Sequence, residues 1–156
     1  MIKELTAAEA KEKALRYLEY RSHSEKELCD KLKKAGAKEE DIPPIMDFLR
    51  GYGFVNDCEY AKRMARDLKN LKKYGRHRIV SELKFRGIAS DYIEEALCEL
   101  EDDEKPDLLP LVEKKLGNDF ERKNIEKAIR YFAYRGYGYE DIKACIDEIK
   151  ENYTEN

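Results

Sequence analysis

The chain has 156 residues, 42% of them charged and 42% hydrophobic, with a formal net charge of −3. So much charge leaves too little apolar surface for one thick core, and thin layers of helix fit better. The near-neutral total argues against a protein that holds nucleic acid by bulk charge, and Cys29, Cys58, Cys98 and Cys145 lie too far apart in sequence for a zinc or redox pair.

Taken in order, a first amphipathic helix is expected from about Thr6 to Tyr20, with Ala10, Ala14, Tyr17, Leu18 and Arg21 along it. Leu28 and Leu32 then share a helical face that ends at Gly36, a residue suited to a left-handed C-cap. Asp41 starts a third helix carrying Ile42, Ile45 and Leu49, with Pro43 and Pro44 in the first turn, where an N–H has no helical partner. A fourth helix is expected from about Asp57 to Lys73, with Ala61, Met64, Ala65 and Leu68 as its apolar face. Ile79, Leu83 and Gly87 follow, then Ile93, Ala96 and Leu100. A seventh helix is expected from about Asp107 to Leu116, shortened or displaced by Pro110. Ala128, Phe132 and Gly136 precede Ile142, Cys145 and Ile149. No segment alternates with a period of two, so no sheet is expected.

These elements are one pattern written three times: Leu28, Leu32, Gly36, Ile42, Ile45 and Leu49 align with Ile79, Leu83, Gly87, Ile93, Ala96 and Leu100, and again with Ala128, Phe132, Gly136, Ile142, Cys145 and Ile149. The expected fold is all-α: three tandem three-helix repeats, residues 1–52, 53–103 and 104–156, forming an elongated, curved body. A repeat of this size has little core of its own and gains stability from its neighbours. Joints are expected at Gly51-Tyr52-Gly53 and in the acidic stretch Glu101 to Asp107. The N-terminal Met-Ile-Lys-Glu is no apolar leader, and no apolar run approaches the ~20 residues that span a bilayer. A cytoplasmic protein without a membrane partner is expected.

Charge is uneven along the chain. Residues 60–87 hold ten basic and two acidic side chains, net +8, whereas residues 88–107 hold one basic and nine acidic, net −8. Lys62, Arg66, Lys69 and Lys73 follow a helical period and fall within about 60° of arc, with Arg76, Arg78, Lys84 and Arg86 beyond them. Such a row is a candidate site for phosphates or acidic protein patches; the opposed acidic segment would neutralise part of it, and a solvated face is the ordinary reading of a charge run.

No catalytic or cofactor constellation emerges. His23 and His77 are far apart in sequence, the serines have no nucleophile setting, and no phosphate-binding glycine loop is present. Ser24 and Ser90 read as helix caps. Tyr131, Phe132, Tyr134, Tyr137 and Tyr139 cluster with Arg130 and Arg135; these could stack bases, but Phe132 reads as core and the tyrosines as edge residues with their hydroxyls in water.

Three stretches carry a family resemblance: Arg21-x-x-Ser24-x-x-Glu27-Leu28; Gly53-Phe54-Val55-Asn56-Asp57-x-x-Tyr60-Ala61; and Gly75-x-x-x-Ile79-x-x-Glu82-Leu83-x-x-x-Gly87-Ile88, followed by Ile93-x-x-Ala96-Leu97. In order and spacing the chain resembles the RecX family over about Ala14 to Ile149. The resemblance implies a non-enzymatic, cofactor-free regulator, mainly an inhibitor, of the RecA recombinase. Such a protein binds the RecA filament on single-stranded DNA in its helical groove and reduces recombination, ATPase and coprotease activities. It would act as a monomer with at most weak direct contact to DNA. The competing reading from the residues alone is a stand-alone helical nucleic-acid-binding module.

Overall fold

A computed structural model describes residues 3–100 and 105–154. Among them are nine α-helices and no strand: α1 (Ala7–Tyr20), α2 (Glu25–Ala35), α3 (Ile42–Gly51), α4 (Asp57–Asn70), α5 (Arg76–Phe85), α6 (Ser90–Cys98), α7 (Lys105–Leu116), α8 (Arg122–Tyr134) and α9 (Tyr139–Thr154), with a 3-10 turn at Glu39–Asp41. The all-helical reading of the sequence holds. Residues 101–104 of the expected acidic joint lie outside the described residues. At the other expected joint, Gly53 is left-handed and the Phe54 N–H closes on the Leu49 carbonyl at 2.9 Å.

The repeat is visible in the backbone. Gly36, Gly87 and Gly136 all adopt positive φ, at 105°, 81° and 102°. The next N–H in each case returns to the aligned residue five positions back: Ala37 to Leu32, Ile88 to Leu83 and Tyr137 to Phe132. This bond satisfies a carbonyl that the helix end leaves orphaned, and a β-carbon would oppose the left-handed conformation that permits it. Of the aligned apolar residues all but Leu100 are buried.

Helix starts follow local chemistry. Thr6 and Ser24 each form a capping box, with Glu9 and Glu27 respectively. Pro43 and Pro44 fall in the first turn of α3, as the sequence reading requires. Ser90 is the first residue of α6 rather than its cap.

Two expectations about helix extent need correction. The fourth helix ends at Asn70, so Lys73 is not on it; Lys73 is the only non-glycine of positive φ among the described residues, at 58°. The seventh helix runs through Pro110 without shortening. Pro110 is exposed, while Leu108, Val112 and Leu116 on the buried side are 0%, 0% and 3% exposed; packing of that stripe outweighs one lost backbone hydrogen bond.

The chain divides into two compact units, Met1–Met64 with Leu83–Ala96, and Ala65–Glu82 with Leu97–Asn156. The first has a core built around Ala10, Ala14, Leu28, Leu32, Ile45 and Leu49. The core of the second is built around Leu108, Val112, Ala128, Phe132, Ile142 and Cys145. Helices α4 and α5 each contribute residues to both units.

Candidate functional site

The basic row of the sequence is met by carboxylates. In the first unit Lys62 Nζ lies 3.3 Å from Glu95, and its side chain is only 16% exposed. The ammonium holds the Glu95 carboxyl below the usual carboxylate range. In the second unit Arg66 pairs with Glu99 at 3.8 Å and Lys69 with Asp107 at 3.6 Å. All three acids come from the acidic segment, so the opposition of charge along the sequence becomes pairing in space. Of the other candidates, Arg78 is committed to Glu82, to the Tyr134 carbonyl and to the rings of Tyr74 and Tyr134. Arg86 donates to the Tyr60 hydroxyl, and Arg76 also has a partner within the chain. Lys73 and Lys84 are exposed.

The first unit contains a polar network that joins two repeats. Ser24 Oγ, at the N-terminus of α2, donates to the Arg86 carbonyl at the C-terminal end of α5 (2.6 Å). Glu27 accepts from the Tyr60 hydroxyl at 2.5 Å, from the Ser24 N–H at 3.2 Å and from Arg21 at 3.1 Å. Burial pushes the Glu27 carboxyl up, but these donors together hold it below its ordinary value. Burial, reinforced by the Glu27 carboxylate, raises the Tyr60 phenol. Gly87 completes the joint: a β-carbon there would lie 2.4 Å from the Lys26 side chain.

His23, 2% exposed, sits at the edge of this network. Its Nδ1 lies 2.9 Å from the Arg21 carbonyl and its Nε2 2.8 Å from Lys31 Nζ. The carbonyl requires a proton on Nδ1 and the ammonium requires a lone pair on Nε2, so the ring is neutral. Burial, with the Arg21 and Lys31 charges, holds its pKa below the ordinary histidine value despite the hydrogen bond to the carbonyl. The role is structural; no second histidine or cysteine forms a ligand set with it, and no cluster of three metal-ligating side chains occurs among the described residues.

The second unit contains the equivalent joint, made by backbone. The Gly75 N–H donates to the Arg135 carbonyl at 2.8 Å and the His77 N–H to the Gly136 carbonyl at 3.1 Å. The N-terminus of α5 thus receives the C-terminus of α8. A β-carbon on Gly75 would stand 2.5 Å from the Gly136 oxygen, and one on Gly136 would stand 2.4 Å from the Arg78 nitrogen. Around the joint, Arg135 donates to the Lys72 carbonyl and the Tyr137 hydroxyl to the Lys73 carbonyl at 2.9 Å. Phe132 is core, as the repeat alignment requires. Tyr137 corrects the sequence reading: it is 6% exposed and its hydroxyl serves the backbone rather than water. Tyr131, Tyr134 and Tyr139 are exposed.

Two family models match consecutive stretches of the chain, the RecX first three-helix domain over residues 10–49 and the RecX second three-helix domain over residues 56–97. The chain belongs to the RecX family. It is 34% identical to the regulatory protein RecX of Clostridium botulinum, with 88% of this chain and 67% of that protein covered. It is 32% identical to the RecX of Legionella pneumophila over 90% of this chain and 94% of that one. The crystal structure of RecX from Lactobacillus salivarius superposes with a TM-score of 0.80 at 27% identity, covering 92% of this chain and 96% of that chain.

Membership recasts the motif residues. Arg21, Ser24, Glu27 and Tyr60, which carry much of the RecX resemblance, meet in the first-unit network, and Gly75 sits in the second-unit joint. They hold successive RecX repeats together. Their hydrogen-bond partnership is absent from a list of motifs; of it, the sequence shows only Ser24 as a helix cap. The chain is accordingly a regulatory protein of helical repeats. No described helix is long and apolar enough to cross a membrane.

Proposed function

We propose that this chain regulates the RecA recombinase, mainly by inhibition, by binding the RecA filament on single-stranded DNA in its helical groove. The match of two consecutive RecX domain models carries the reading. Recombination, ATPase and coprotease activities would fall together, because one occupied groove serves all three. The protein would act as a cytoplasmic monomer, folding as repeats over residues 1–52, 53–103 and 104–156. Binding must favour one filament state over another, since equal affinity for both shifts nothing.

The proposed contact surface is the cationic middle segment. Lys84 and Lys73 offer exposed charge, while Lys62, Arg66 and Lys69 exchange their carboxylates for phosphates or acidic side chains of the filament. The Arg66–Glu99 pair is about half exposed on both sides, and an ion pair of that kind contributes only about 0–1 kcal/mol, so its exchange costs little. Arg76, Arg78 and Arg86 are held by the chain itself and would support the surface with their charge.

Sedimentation of RecA–single-stranded-DNA filaments with this protein tests the proposal. Co-sedimentation is expected, weakened at least tenfold in an Arg66→Glu/Lys84→Glu variant, with little pelleting on naked DNA. Failure to pellet with filaments would overturn the RecA reading. Equal pelleting with naked DNA would favour the nucleic-acid-binding module, and full binding by the folded variant would remove these cations from the contact.

A further inference from the structure

We infer that the second compact unit carries a docking cleft for an acidic peptide segment that bears a large apolar side chain. The cleft has a volume of about 410 Å³, within the range of sites that take ordered ligands. Its rim holds four cations: Lys73, Lys114, Lys115 and Arg135. None of them takes part in the ion pairs found among the described residues, in contrast to Lys62, Arg66 and Lys69. Four cations outside any of those ion pairs thus line one cleft, and three of them, Lys114, Lys115 and Arg135, lie off the row that the sequence displays. The floor is apolar, formed by Leu111 and the buried ring of Phe132.

Three of the cations are held in place. Lys115 Nζ lies 4.1 Å from the centre of the Tyr131 ring. The Arg135 guanidinium lies 5.2 Å from the Tyr74 ring and 5.5 Å from the Tyr131 ring. Lys73 is held through its backbone, which is left-handed, with the carbonyls of residues 72 and 73 accepting from Arg135 and Tyr137. A lysine kept at positive φ stores backbone strain that the surroundings over-determine, a feature that gathers at binding sites.

This arrangement selects the occupant. The tyrosines already carry cations on their rings, so they do not offer bare platforms for stacked nucleobases. An apolar floor under a ring of cations instead suits aliphatic or aromatic side chains flanked by carboxylates. The exposed Tyr131 in the lining adds an aromatic group of the kind enriched at protein interfaces.

The test uses the full chain without RecA or DNA, so its outcome is separate from that of the regulatory reading. A fluorescein-labelled ten-residue peptide of Glu and Asp with one Leu and one Phe is titrated by fluorescence anisotropy. Saturable binding is expected. It should weaken at least tenfold in Lys114→Glu/Lys115→Glu, less in Lys114→Ala/Lys115→Ala, and about fivefold when Ser replaces both apolar residues of the peptide. Both lysines are exposed, and circular dichroism verifies that the variants fold. No saturable binding, equal affinity in the glutamate variant, or a ten-nucleotide oligothymidylate bound more tightly than the peptide through the same lysines would overturn the inference.

Discussion

In the first compact unit, the C-terminus of α5 meets the N-terminus of α2 through side chains: Ser24, Glu27, Tyr60 and Arg86 share one hydrogen-bonded network. In the second, the C-terminus of α8 meets the N-terminus of α5 through main chain, with Gly75 and His77 donating to the carbonyls of Arg135 and Gly136. Both joints bring the carbonyl end of one repeat's helix to the amino end of another's, so the partial charges of the helix termini are opposed in each. The side-chain joint depends on ionisation and tolerates small displacements. The backbone joint is independent of pH and tolerates no added atom.

Breaking the backbone joint should have the largest effect. Gly75→Ala forces a β-carbon against the Gly136 carbonyl, where neither side is a flexible chain, and is expected to cost about 3 kcal/mol or more by urea denaturation. Gly51→Ala provides the contrast: its φ is not positive and nothing lies within 4 Å, so stability should change by no more than about 0.5 kcal/mol. Comparable losses at both positions would refute the close-approach account.

In the side-chain joint, Ser24→Ala removes a helix cap and the bond to Arg86, and about 1–2 kcal/mol should be lost. Tyr60→Phe takes one donor from Glu27 at a cost of about 1 kcal/mol. Because both residues serve Glu27, the double variant should depart from additivity in a mutant cycle. Strict additivity would mean that they do not form one network.

Acid should separate the joints more gently. The folded-state pKa of His23 is depressed, so the unfolded chain binds the proton more readily. Its contribution is complete above the unfolded pKa of about 6.5 and declines as pH falls below it. Glu27 is also depressed, and its contribution is lost at lower pH, as the carboxyl protonates below about 4.5. Melting temperature should therefore fall between pH 7 and 5.5, and His23→Gln should flatten that part of the profile. An unchanged slope in the variant would assign the pH dependence elsewhere. Tyr137→Phe should cost about 1 kcal/mol at neutral pH, through loss of a neutral hydrogen bond to the Lys73 carbonyl.

How much was legible in the sequence follows from the range of the interactions. Gly36, Gly87 and Gly136 and the apolar residues around them were readable because helix period and C-capping are local. The end of α4 was not. Lys73 leaves the helix in a turn held by Arg135 and Tyr137, more than 60 residues away, and no period can report that. Pro110 misled for a related reason, since the burial of Leu108 and Val112 comes from tertiary packing. The row Lys62, Arg66, Lys69 was found correctly as cations on a helix, but the pairing with Glu95, Glu99 and Asp107 needed coordinates. Lys114, Lys115 and Arg135, which form no ion pair among the described residues, meet only in the fold; of these the sequence reading singled out Arg135 alone, in the Tyr- and Arg-rich stretch near residue 131.

The regulatory account is tested most directly by the single-stranded-DNA-dependent ATPase of the cognate RecA, titrated with this protein at fixed DNA and salt. Inhibition at protein well below the RecA concentration is the predicted result, as expected of a protein that acts on filaments rather than on free RecA subunits. An unchanged rate up to equimolar protein, with folding verified by circular dichroism, would contradict it.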